Sequence, residues 1–95
     1  MAVAVETNDE APELARSAGA VFASWQEAFT ALFQRHRLPE DRSRRLAALI
    51  VAAEEGAVIL CRAEQSTAPM EAVAAEIHDL LVGALSNRPE TGPRP

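Results

Sequence analysis

RSRRLAALIVAAEEGAVILCR, residues Arg42 to Arg62, is the stretch whose reading decides the fold. It is Ala-rich, free of Pro and made mostly of helix-favouring residues, so a long helix is its natural conformation. Leu46, Leu49, Ile50, Ala53, Ala57 and Leu60 recur at spacings of mostly three and four and form one stripe. Val51, Val58, Ile59 and Cys61 lie off that stripe and widen it. A helix apolar over this much of its surface is expected to be covered on more than one side, and the rest of the chain offers only two further helices. Part of the cover is therefore expected from a second molecule or from another part of a larger protein.

Two features inside the stretch carry further expectations. Gly56 in mid-helix costs about 1 kcal/mol against Ala, which a close backbone approach would explain, so helices are expected to cross there. Glu54 and Glu55 sit between Ala53 and Gly56 in otherwise apolar surroundings. One can point to solvent. The other lies on an edge of the stripe or is buried and paired, with Arg62 or the Arg42 to Arg45 group as candidate partners.

Working outward, the segment before the central helix repeats Leu14, Ala18, Val21, Phe22, Trp25, Phe29, Leu32 and Phe33 at the helical period. Arg16, Ser17, Gln26, Glu27, Thr30 and Gln34 fall mostly opposite. Asn8 or Asp9 suits its N-cap, and Pro12 and Glu13 suit its first turn. Arg35 to Arg37 complements the dipole at its C-terminus, and Leu38-Pro39 ends it. After the central helix, Ser66 and Thr67 stop one helix and cap the next. Met70, Val73, Ala74, Ile77, Leu80, Leu81, Ala84 and Leu85 then repeat in near-heptad order. The expected organisation is an all-α three-helix domain over 9–85, with helices over about 9–35, 39–65 and 68–85. An irregular lead-in over 1–8 and a disordered, Pro-rich tail over 86–95 flank it.

Composition narrows the function. A formal net charge of −5 with pI near 4.9 opposes phosphate backbones, so duplex DNA is not an expected partner of this chain by itself. The basic run Arg35 to Arg45 is interrupted by Glu40 and Asp41 and reads as a solvated helix hairpin. No apolar run approaches the roughly 20 residues of a membrane span, no export signal is recognisable, and Cys61 has no partner cysteine, so a cytoplasmic setting is expected.

Few residues offer chemistry. His36 sits in the basic turn, and His78 is flanked by Glu76 and Asp79, which do not converge with it on one ion along a helix. Cys61 follows Val58-Ile59-Leu60 and reads as a small hydrophobe. No enzyme, metal or cofactor is expected. The aromatics Phe22, Trp25, Phe29 and Phe33 read first as core, and second as the wall of an apolar ligand pocket.

The run EEGAVILCRAEQSTAPMEAV resembles the C-terminal domain of TetR-type transcriptional regulators, whose penultimate helix carries a Glu-Gly-Ala-aliphatic core before an Arg-Ala pair and a Pro-containing turn. Glu55, Gly56, Ala57, Val58, Ile59, Leu60, Arg62, Ala63 and Pro69 carry the likeness, and the Phe22 to Trp25 spacing resembles the preceding helix. Glu54 departs from it, since an apolar residue is usual there. The resemblance implies a helical effector-binding domain that dimerises through its last two helices. It also implies DNA recognition by an N-terminal helix-turn-helix, which this sequence does not contain, so a truncated or partial regulator is expected.

The expected assembly is a homodimer in which Ala53, Gly56, Ala57 and Leu60 meet Val73, Ile77, Leu80 and Leu81 and their symmetry mates as a four-helix bundle. Phe22, Trp25 and Phe29 are the expected contacts of a small apolar effector. The alternative is a freestanding helical module that pairs with its own kind.

Overall fold

The computed structural model describes residues 11–86 as three α-helices. They are α1 (Ala11–Arg35), α2 (Glu40–Glu64) and α3 (Ala68–Ser86). The lead-in over 1–8, the cap at Asn8 or Asp9 and most of the expected tail lie outside the described residues.

Both turns close by the same backbone device. At the end of α1, Arg37 adopts a left-handed conformation with φ 74°. Its N–H donates to Gln34 O, and Leu38 N–H donates to Phe33 O at 3.1 Å. This is the Schellman pattern, whose apolar contact falls between the residue after the left-handed position and the residue five before it. Here those residues are Leu38 and Phe33, 6% and 4% exposed and members of one core. At the end of α2, Gln65 takes the left-handed position, and Ser66 N–H donates to Cys61 O. Ser66 Oγ then accepts from Ala68 N–H and the Thr67 hydroxyl donates to Glu71, which fixes the entry to α3.

With connections this short, α1 and α3 each return alongside α2. The backbones of α1 and α3 do not pack on one another, so α2 is the middle of a three-helix layer. The core gathers at one end, where Phe33 and Leu38, then Leu46, Ala47 and Ile50, then Ala84 are buried together. Phe29 from α1 and Ile77, Leu80, Leu81 and Leu85 from α3 pack against it.

The layer corrects two readings of the faces. The apolar stripe of α1 is wider than α2 can cover, and α2 sits against its edge. Thr30, placed on the polar side by periodicity, is 4% exposed, whereas Leu14, Val21 and Trp25 are 63%, 46% and 45% exposed. The single stripe of α2 divides as well. Leu46, Ile50 and Ala57 face inward, while Leu49 and Leu60 remain 49% and 46% exposed. Both departures have one cause, which is that a single layer leaves each helix a side with no neighbour.

Candidate functional site

The surface formed by the described residues includes two open apolar grooves and a polar cleft. The first groove, of about 410 Å³, runs between α2 and α3 and is lined by Leu49, Ala53, Ala72, Val73, Glu76, Ile77 and Leu80. Helical spacing extends its α2 wall, because Leu49, Ala53, Gly56 and Leu60 follow one another by four, three and four residues and share a face. Gly56 lies half-buried on that face, and a Cβ added to it would meet nothing within 4 Å. Among the described residues, no helix therefore makes the expected crossing at Gly56. The space there is empty.

Of the eight residues expected at a dimer surface, Ala53, Val73, Ile77 and Leu80 line this groove and Gly56 and Leu60 continue its face. Ala57 does not join them, since it is 1% exposed and enclosed by its own chain. Leu81 packs against the core as Ile77 and Leu80 do, but unlike them it does not line the groove. Leu49, Ala72 and Glu76 are the wall residues that spacing alone did not single out. By spacing Leu49 belongs to the central stripe, and only the position of α3 shows which side of that stripe stays open.

The second groove, of about 350 Å³, lies on α1 and is lined by Trp25, Ala28, Phe29, Leu32 and Arg35. Trp25 and Phe29 thus share a concave surface, while Phe22 stands beside it, edge-on to Trp25 with ring centroids 5.5 Å apart. Phe29 in turn stacks on the buried Phe33 at 6.1 Å, which ties the wall of the groove to the core. A rigid aromatic wall with a single charged residue at its edge suits an apolar ligand.

The third hollow, about 220 Å³, is polar and lies where α1 meets α2, lined by Ala23, Gln26, Glu27, Thr30 and Arg44. Arg44 joins the two helices across it, 3.0 Å from Glu40 and 3.6 Å from Glu27. The hydrogen bond to Glu40, helped by the charges of both carboxylates, holds its guanidinium more firmly protonated than an ordinary arginine. Arg45 pairs with Asp41 at 3.5 Å. Two of the arginines expected to serve Glu54 or Glu55, Arg44 and Arg45, are therefore engaged elsewhere, and Arg42 and Arg62 pair with neither glutamate. Glu54 is exposed, Glu55 is half-buried, and neither makes an ion pair among the described residues.

Cys61 is a half-buried free thiol, and His78 lies at the surface beside Asp79. No helix among the described residues is long and apolar enough to cross a membrane.

Comparison with known proteins relates this sequence to a family of regulators. A family model described as the transcriptional regulator LmrA/YxaF-like, C-terminal domain matches residues 1–76. The chain is 36% identical over 93 residues to an uncharacterized HTH-type transcriptional regulator of Mycobacterium tuberculosis strain CDC 1551 / Oshkosh, and equally to one of strain H37Rv. Each alignment covers 92% of this chain and 47% of the relative, so the chain spans about half the length of the curated relatives it matches. No solved structure matches.

Proposed function

The chain belongs to the TetR-type family of LmrA/YxaF-like transcriptional regulator C-terminal domains, and from that membership we propose that it is the self-associating, effector-receiving part of such a regulator. The observation that carries the reading is the open groove of α2 and α3, where Leu49 and Leu60 are 49% and 46% exposed and Ala53, Gly56, Val73, Ile77 and Leu80 are only partly covered by the described residues of their own chain. A two-fold axis beside this face buries it against itself, because one self-complementary patch meets its own copy. Four helices then form the bundle, two from each protomer. Gly56 sits where the second copy approaches, which gives a helix-weakening residue a reason to be there.

The groove at Trp25 and Phe29 is, in this reading, one wall of the effector site. An apolar ligand on it touches α1, whose Phe29 also packs against the core shared with α2, and α2 carries the self-association face. Effector and dimer therefore share one helix layer. Operator recognition in this reading belongs to the helix-turn-helix for which the relatives are named, and this acidic chain is not its carrier. No step of the role requires catalysis, and the working compartment is the cytoplasm.

The discriminating experiment places a charge on the open face. Leu49→Glu and Leu60→Glu are tolerated by the isolated chain, since both positions are about half exposed, but each would bury an unpaired carboxylate in the dimer. Light scattering at matched concentration should give a dimer for the unaltered chain and monomers of unchanged helix content for both variants. Variants that associate as the parent does would move the interface off this face.

A further inference from the structure

We infer that the α1 groove takes an amphipathic monoanion, a ligand with an aromatic or aliphatic body on Trp25 and Phe29 and a carboxylate at Arg35. The inference rests on the effector-site reading of that groove and adds the charge class of its ligand.

Arg35 is the only charged residue lining the groove. It is exposed, it lies in the last turn of α1, and it makes no ion pair among the described residues. The acids around the turn are already engaged, Glu27 and Glu40 by Arg44 and Asp41 by Arg45. Glu27 is also eight residues before Arg35, more than two helical turns away.

The helix terminus does not claim Arg35 either. An arginine in a last turn often serves the unpaired carbonyls there. Here Leu32 O and Phe33 O accept from His36 N–H, Phe33 O accepts also from Leu38 N–H, and Gln34 O accepts from Arg37 N–H, so the backbone closes its own end. A planar guanidinium with free donors beside an apolar wall fits a carboxylate in two-pronged contact, and neighbouring Arg37 adds a second positive charge nearby. A neutral ligand would use the wall and waste the donors. A cation would be repelled.

The test uses 4-phenylbutanoate and its uncharged amide, followed by nitrogen–proton NMR of the chain through the single Trp25 indole N–H and the Arg35 Nε–H. The acid should bind about three- to tenfold more tightly than the amide, as suits a partly solvated charge-assisted contact, and should move both signals. In Arg35→Gln the preference should vanish while the amide still binds, and Arg37→Gln should keep it. Circular dichroism confirms that each variant is folded. Equal binding of acid and amide, with Trp25 shifted by both, overturns the charge assignment and leaves the effector groove standing. A preference that survives Arg35→Gln also overturns it. No shift of Trp25 by either compound overturns the inference and the groove reading together.

Discussion

At Gly56 the chain by itself has room for a side chain, and this makes one substitution unusually informative. A Cβ built there meets nothing within 4 Å, and the position lies well inside α2. In an isolated chain, Gly56→Ala should therefore stabilise the fold by about 1 kcal/mol through helix propensity alone. For a domain of this size that is a rise of about 4–8 °C in melting temperature. If a second copy crosses α2 at Gly56, added side chains occupy the space that the crossing needs, and the effect on association runs the other way. Gly56→Leu should then weaken the dimer by about 1–3 kcal/mol of overpacking, roughly a five- to 150-fold rise in dissociation constant. Gly19→Ala is the control, since its Cβ is also unobstructed and it lies on α1, away from the proposed interface. The assay is thermal denaturation by far-UV circular dichroism from submicromolar to several hundred micromolar chain, with the association constant measured in parallel. Gly19→Ala should stabilise at every concentration, whereas Gly56→Ala should do so only where the chain is monomeric. If both glycine variants stabilise equally throughout, and Gly56→Leu associates as the parent does, no crossing occurs at Gly56.

The remaining predictions concern the core and the α1 groove. Ile50→Val, at a position 3% exposed in the core, should lower stability by about 0.5–1.5 kcal/mol in chemical denaturation, whereas Leu14→Ala, 63% exposed, should stay within about 0.5 kcal/mol in the isolated chain. Trp25→Ala should weaken binding of apolar ligands at α1, read by competition or by NMR of the Phe29 ring. Phe22→Ala should weaken it less, because Phe22 is not in the groove's lining. Arg44→Gln removes an exposed clamp rather than a buried one, so its effect on melting should be small and should shrink further with added salt.

The number and order of helices were legible because the apolar spacing is interrupted where the chain turns, at Leu38-Pro39 and at Ser66-Thr67. The family was legible too, in the run around Glu55 to Ala63. What periodicity could not supply was the direction from which each neighbour arrives. On α1 the apolar arc is broad enough that α2 could dock at several angles, and it docks where Thr30 is buried and Trp25 stays half out. On α2 the spacing of Leu46, Leu49, Ile50 and Leu60 reads as one face, yet about 60° of rotation separates Ile50 from Ala53, the width over which one neighbour ends and open surface begins. Arg37 and Gln65 hid the turn geometry for a different reason, since neither is the Gly that usually marks a left-handed helix end. The Arg44 contact with Glu27 joins residues far apart in sequence, and no local pattern announces it.

Whether this open layer is half of a bundle is decided most directly by the mass of the unaltered chain in solution. Sedimentation equilibrium across micromolar concentrations should fit a monomer–dimer equilibrium whose heavier species has twice the 10.2 kDa chain mass. A folded, helical species that stays at 10.2 kDa up to several hundred micromolar would contradict the account.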